Sequence, residues 1–256
     1  MNKEPTTMDL ATELERFVKE QASRFGDVIS YVPAKTAASA KAPVAVEPAE
    51  VGYISLRVLE QKLEPHKQEA WYAAKTLEEL ENKINTCQKC GLGATRTKFV
   101  FGVGDPHAKV MVIGEAPGAD EDAKGEPFVG RAGQLLNKML AAIDFKREEV
   151  FIANILKSRP PNNRDPKPDE VEACEPYLWK QIALIKPRLI LCLGRIAGTN
   201  LLKSNESLGK MRGQVFDFCG IPVIVTYHPA ALLRNPDWKH GAWEDLKKLK
   251  RMYEEL

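Results

Sequence analysis

The stretch Lys109-Val-Met-Val-Ile-Gly-Glu-Ala-Pro-Gly118 decides how this chain is read, because an apolar run ends abruptly in a glycine- and proline-rich turn. A short, unbroken apolar run closed by turn residues predicts a strand buried on both faces, whereas a strand with one wet face would alternate. Three further runs repeat the pattern: Val150 to Ala153, Leu189 to Leu193 and Val223 to Thr226. Helical spacing fills the intervals. Leu135, Leu136, Met139, Leu140 and Ile143 share one helix face, as do Val171, Cys174, Leu178, Ile182 and Ile185 after Pro168. A last helix runs through Trp243, Leu246, Leu249 and Met252. Strands alternating with helices predict a three-layer α/β/α sandwich around a mainly parallel four-stranded sheet.

In open α/β sheets ligands bind beyond the carboxyl ends of the strands. The polar punctuation falls there: Gly114-Glu115 after the first strand, Asn154 after the second, Gly194-Arg195 after the third and Tyr227-His228 after the fourth. These four loops form the candidate site.

The domain is expected over residues 71–256, starting near Trp71, where Thr76 and Glu79 make a capping-box pattern ahead of Leu77, Leu80 and Ile84. Upstream, Leu10, Leu14, Phe17 and Val18 predict an amphipathic helix within residues 1–32. Residues 33–70 read as a flexible linker and lead-in, since Pro33 to Glu50 is mostly Ala, Pro, Lys, Val and Glu.

The chain has 256 residues, 44% hydrophobic and 28% charged, enough for one sizeable core. No apolar run approaches the length of a membrane span and no secretory leader is visible, so a soluble, cytoplasmic and monomeric protein is expected. Five cysteines without an export signal point to free thiols or metal ligands rather than disulfides. A formal charge of +2 leaves nucleic-acid binding open without indicating it.

Two segments carry the chemistry. Gly114-Glu-Ala-Pro-Gly-Ala-Asp-Glu-Asp122 places carboxylates on a turn, and Gly125-Glu-Pro-Phe-Val-Gly130 presents Phe128 before the next helix. Taken alone, the carboxylates suit a solvated acidic loop or a magnesium site, and the Lys-Ser/Thr ending of a phosphate-binding loop is absent. In Tyr227-His-Pro-Ala-Ala-Leu-Leu-Arg-Asn-Pro236, His228 directly follows a strand at the ligand edge. A lone histidine is more often structural, and an Asn at a strand end such as Asn154 more often forms a turn.

Together, Gly-Glu-Ala-Pro-Gly, Pro-Phe-Val-Gly, Asn-Ile-Leu-Lys and His-Pro-Ala-Ala-Leu-Leu-Arg resemble the iron-sulfur (family 4) uracil-DNA glycosylases, over roughly Leu77 to Leu256. The resemblance implies a DNA repair enzyme that flips uracil from single- or double-stranded DNA and hydrolyses its glycosylic bond. Phe128 would lie against the base. Asn154 would read its edge, because an amide pairs with the N3 hydrogen and O4 of uracil while cytosine presents the reverse arrangement. His228 would stabilise charge developing on O2, helped by backbone N–H groups between Glu115 and Gly118, with Ala116 part of that turn. Glu121 or Glu115 would orient the attacking water or stabilise the sugar cation. Better-known members of the superfamily carry aspartate two residues after the motif's first glycine, where this chain has Ala116. Leu232 or Leu233 would wedge into the emptied stack and Arg234 would grip a phosphate; core packing and a solvated charge are the competing readings.

The resemblance also implies a [4Fe-4S] cluster held by four cysteines. Cys87, Cys90 and Cys174 match three ligand positions; the fourth holds Ser158, a poor ligand for iron that favours thiolate, so a labile or incomplete cluster is expected. Cys192 reads as a core thiol and Cys219 as a turn residue. A related group captures uracil covalently through a histidine after the second strand, but Ser158 to Pro166 contains none, which favours turnover over capture. A non-catalytic DNA-binding relative is the other alternative. The N-terminal extension is left as a contact for an unknown protein partner.

Overall fold

The structure, a computed structural model, describes residues 57–256. The expected N-terminal helix and the Ala/Pro-rich linker lie outside the described residues. Residues 57–63 are helical and carry Leu59 and Leu63 into the core beside Trp71, so the packed unit takes in chain upstream of Trp71.

In chain order the elements are α1 (Leu77–Ile84), β1 (Val103–Gly104), β2 (Val110–Gly114), α2 (Ala119–Lys124), α3 (Arg131–Ala141), β3 (Phe151–Asn154), α4 (Pro168–Ile185), β4 (Leu189–Leu193), α5 (Arg195–Leu202), α6 (Leu208–Met211), β5 (Phe216–Phe218), β6 (Ile221–Thr226), α7 (Pro229–Arg234) and α8 (Lys239–Glu254). The sheet has six strands in the order β1-β3-β2-β4-β6-β5, which corrects the expected four. The four expected strands form its parallel centre, and two short antiparallel edge strands, β1 and β5, flank it. β5 returns to β6 through Cys219 and Gly220, both at positive φ, a turn that suits the twist of a tight hairpin.

The sheet divides the core in two because side chains on a strand point alternately to opposite faces. Met111 and Ile113 of β2, with Ile190 and Cys192 of β4, meet Leu80, Ile84, Leu178 and Ile182 of α1 and α4. Val110, Val112, Leu189 and Leu191 meet Leu136 and Leu140 of α3 and Leu246 and Leu249 of α8. Ile113, with no exposed surface, sits at the centre of the first layer; truncating such a residue to Ala costs about 2–5 kcal/mol.

Helix starts follow local chemistry. Thr76 caps α1 by accepting the Glu79 N–H (3.1 Å), while the Glu79 carboxylate reaches back to the N–H of Lys75 (2.7 Å). α4 opens on Pro168 with the Glu170 carboxylate accepting the Lys167 N–H (2.9 Å).

Candidate active site

The parallel strands end together, so the loops after β2, β3, β4 and β6 converge as expected. Asn154 closes β3 opposite Gly114 and is only 2% exposed. Its Oδ1 is buried and accepts no hydrogen bond. An unpaired buried acceptor costs about 1–3 kcal/mol, so its presence in a folded protein asks for a partner from outside the chain.

Gly114 is glycine for a steric reason at this point. A Cβ there would overlap Asn154 Oδ1 and lie 2.7 Å from two ring carbons of Phe128. The amide and the aromatic face are thus brought together over bare backbone. Phe128 is held at φ 53, a left-handed conformation uncommon for a bulky residue and usually maintained by its surroundings. Those surroundings are visible. Arg147 donates to the Pro127 carbonyl (2.6 Å), and Gly133 presses so closely that a Cβ would overlap the Phe128 carbonyl.

His228 stands 5.5 Å from Phe128, ring centre to ring centre, with the planes inclined by 32°. It is also the N-cap of α7, where Nδ1 accepts the Ala230 N–H (3.2 Å). An accepting Nδ1 places the remaining proton of the neutral ring on Nε2. Burial, and then the positive charge of Arg234, push the imidazolium pKa down to about 4, against a smaller opposing effect from Glu121. The ring is therefore a neutral donor at neutral pH.

The two candidate carboxylates differ. Glu121 accepts from the N–H groups of Gly118 (3.1 Å), Val129 (3.0 Å) and Gly130 (3.2 Å), which stitches the start of α2 to the Phe128 segment. Both of its oxygens are engaged by the turn, and the Gly118 N–H expected near the base is committed to Glu121. The acidic stretch is accordingly a short helix, α2, rather than the open turn expected from its glycines and proline. Glu115 has no such partners. Burial, followed by the nearby Asp165 charge, raises its pKa to about 7, with Arg195 acting in the opposite direction. Arg195 opens α5 and pairs with Asp165 of the loop beyond β3 at 3.8 Å, so three loops set the electrostatics of Glu115. Ala116 packs against the core.

On α7, Leu232 is 1% exposed and belongs to the core layer under α3, which removes it as a wedge. Leu233 is half-buried and Arg234 exposed, leaving these two available at the rim.

Cys87, Cys90, Cys174 and Ser158 share one neighbourhood beside the N-terminal half of α4. Cys87 Sγ lies 3.2 Å from the Tyr177 hydroxyl, and Cys174 Sγ accepts the Lys157 N–H at 3.2 Å. Arg96 donates to the Cys87 carbonyl (2.6 Å) and to Ser158 Oγ (3.2 Å). Burial pushes the Cys174 thiol up to about 12, and Lys157 is the largest influence opposing it. Among the described residues no three Cys, His, Asp or Glu side chains converge to hold a metal ion. Lys157 supplies the test of fit. It has no exposed surface, and its ammonium meets only neutral oxygens, Gln181 Oε1 (2.6 Å) and the Asn154 carbonyl (3.0 Å). Burial lowers the Lys157 pKa to about 8, and an anionic thiolate-bound group beside Cys174 would favour its charged form. Three thiols fit such a group in charge and chemistry; the Ser158 hydroxyl, engaged by Arg96, does not fit as its fourth ligand. Cys192 lies within β4 and Cys219 in the hairpin turn, as expected.

Residues 101–247 match the model of a family described as the uracil DNA glycosylase superfamily, and the chain belongs to that family. Within it the chain is similar to enzymes named type-4 uracil-DNA glycosylase. The one from Archaeoglobus fulgidus is 44% identical over 182 residues, covering 68% of this chain and 92% of the relative. That from Saccharolobus solfataricus is 45% identical, covering 68% and 85%, and that from Thermotoga maritima 40% identical, covering 68% and 93%. Among the described residues no helix is long and apolar enough to cross a membrane.

Proposed function

We propose that this chain, a uracil-excising DNA repair glycosylase by family, binds the extruded base between Phe128, Asn154 and His228 and breaks its glycosylic bond with a neutral histidine and Glu115. The observation that carries the reading is the orphaned Oδ1 of Asn154, buried beside the Phe128 ring and the fixed tautomer of His228. An acceptor without a partner matches the N3 hydrogen of uracil; cytosine offers a lone pair there and would leave two acceptors facing each other.

Bond cleavage moves negative charge onto the base and positive charge onto the sugar. His228 Nε2–H donates to the developing charge on uracil O2; being neutral, it stabilises that charge without first being drawn into an ion pair in the ground state. Glu115, ionised as pH rises through about 7, faces the sugar cation or orients the water that captures it. Glu121 acts one step back, holding Phe128 and the turn in place. Leu233 and Arg234 meet the DNA, filling the vacated stack and gripping a phosphate.

Cys87, Cys90 and Cys174 would hold an iron-sulfur cluster, with Ser158 a weak fourth position. When bound, the group supplies countercharge to Lys157 and a clamp between α4 and the Cys87 loop, apart from the bond that breaks.

The test is incubation with a uracil-containing oligonucleotide and a chelator of free divalent ions, followed by alkali. Abasic-site cleavage that is lost in His228→Ala and Asn154→Ala supports the reading. A stable protein-DNA adduct, or binding without cleavage, refutes it.

A further inference from the structure

Just beyond α7 lies an exposed aromatic that the pocket does not use. Trp238 is 42% exposed, one of four large hydrophobic residues so exposed among the described residues. It closes the single turn Pro236–Trp238 that follows α7 and leads into α8. Its indole stacks on Tyr227, 5.0 Å between ring centres and 21° between planes. Tyr227 is the neighbour of His228, so this stack adjoins the proposed pocket through the backbone of a single residue step.

The stack rests on a buried ionic anchor. Arg212 lies 4.1 Å from the centre of the Tyr227 ring and donates to its hydroxyl (3.0 Å). Arg212 Nε donates to Asp245 (2.7 Å), which is 2% exposed and also accepts from Thr226 Oγ1 (2.8 Å) and the Gly213 N–H (3.2 Å). Both oxygens of Asp245, on α8, are thereby engaged, by donors from β6 and from the chain after α6. Burying a charge pair contributes little net stability, and this one fixes Tyr227, one residue step from His228 along the chain, and, through it, a half-exposed indole. In sequence, exposed Arg234 and partly buried Lys239 lie on either side of Trp238, with exposed Asp237 the opposing charge.

We propose that Trp238 is the outer layer of a stacking platform on which an unpaired base of the DNA strand flanking the flipped nucleotide rests. A rigid aromatic backed by a second ring and a guanidinium takes any base by its π face, and adjacent cations hold the backbone. This rests on the uracil-excision reading, because the occupant is the strand that enters the pocket beside it. The contact predicts tighter binding where bases flanking the lesion are unpaired than where they are stacked in a duplex.

Full-length wild type, Trp238→Ala and Trp238→Phe are titrated with a short single-stranded DNA containing no uracil, reading anisotropy of a labelled oligonucleotide and intrinsic fluorescence. The expected results are a Kd raised roughly 5- to 150-fold in Trp238→Ala, from about 1–3 kcal/mol of stacking, and largely restored in Trp238→Phe. DNA-dependent quenching should be smaller in Trp238→Phe than in the wild type. If Trp238→Ala fails to fold, the quenching comparison still decides, since phenylalanine keeps a ring on Tyr227. A Kd in folded Trp238→Ala equal to that of wild type, or equal quenching in wild type and Trp238→Phe, overturns the proposal and leaves Trp238 as the residue that opens α8. Uracil release is measured on the same wild-type preparation: its absence refutes the excision reading, whereas release with unchanged DNA binding in the variants refutes only the platform.

Discussion

Replacing Asn154 with Ala should separate stability from activity. In the free protein the substitution deletes an acceptor that is buried and unpaired, removing a penalty of about 1–3 kcal/mol. The smaller side chain leaves a methyl-sized void that costs about 1 kcal/mol. The balance lies between zero and about 2 kcal/mol in favour of the variant, a Tm from unchanged to roughly 4–8 °C higher for a domain of this size. With uracil in the pocket the sign reverses, because two polar edges of a buried base lose their partner at about 1–3 kcal/mol each. Single-turnover excision should fall roughly 30-fold to 10⁴-fold, while affinity for uracil-free DNA, which makes no contact with the amide, stays the same. Calorimetric or fluorimetric melting and quenched-time-point cleavage assays give both numbers from one preparation. A Tm lowered by several degrees with excision within threefold of wild type would show that Asn154 holds the end of β3 and does not read the base.

Three other substitutions test neighbouring parts of the site. Because Glu115 titrates near pH 7 and His228 is driven to about 4, the acid limb of single-turnover excision should lie near pH 7 and vanish, at a lower plateau rate, in Glu115→Gln; a limb that persists in the variant would assign it elsewhere. The same shift has a stability consequence: a raised carboxyl pKa favours the folded state below the unfolded value and loses that contribution as pH rises through about 7, so chemical denaturation of Glu115→Gln should depend less on pH between about 4.3 and 7. Phe128→Ala should slow excision roughly 5- to 150-fold through about 1–3 kcal/mol of lost stacking, and an unchanged rate would return Phe128 to the core. Ser158→Cys should raise iron per chain, brown absorbance and Tm, with single-turnover excision by the folded fraction little altered; equal iron and equal Tm in the two proteins would show that the serine is no handicap.

The parallel strands were legible because each is buried on both faces and therefore written as an uninterrupted apolar word, with its boundary marked by Gly114, Asn154, Gly194 or Tyr227. The edge strands were not. Val103–Gly104 is two residues long, and β5 (Phe216–Phe218) points one residue to solvent, so neither carries a period that can be read. Asn154 and His228 could be placed at one edge because strand ends cluster by topology alone, whereas Phe128, which follows a helix, was placed beside them only by the family resemblance. The division of labour between Glu115 and Glu121 could not, since it depends on three N–H groups drawn from two separated segments. Leu232 and Leu233 stand side by side in sequence, and only the helical turn of α7 shows that one faces the core. The links Arg212–Tyr227 and Lys157–Gln181 join distant residues, and no local pattern announces them.

His228 joins two tasks in one rigid ring: Nδ1 closes the first turn of α7 while the opposite nitrogen is left to donate. Few replacements can satisfy both at once. Asparagine and aspartate cap a helix well, but their single short arm turns its polar end toward the backbone and leaves nothing directed the other way. Glutamine and lysine reach outward without gripping the turn. On the proposed reading, a substitution that keeps the cap but loses the outward N–H costs excision before it costs folding. On that same reading, the cap of the helix that bears Leu233 and Arg234 and the outward N–H reside in one side chain.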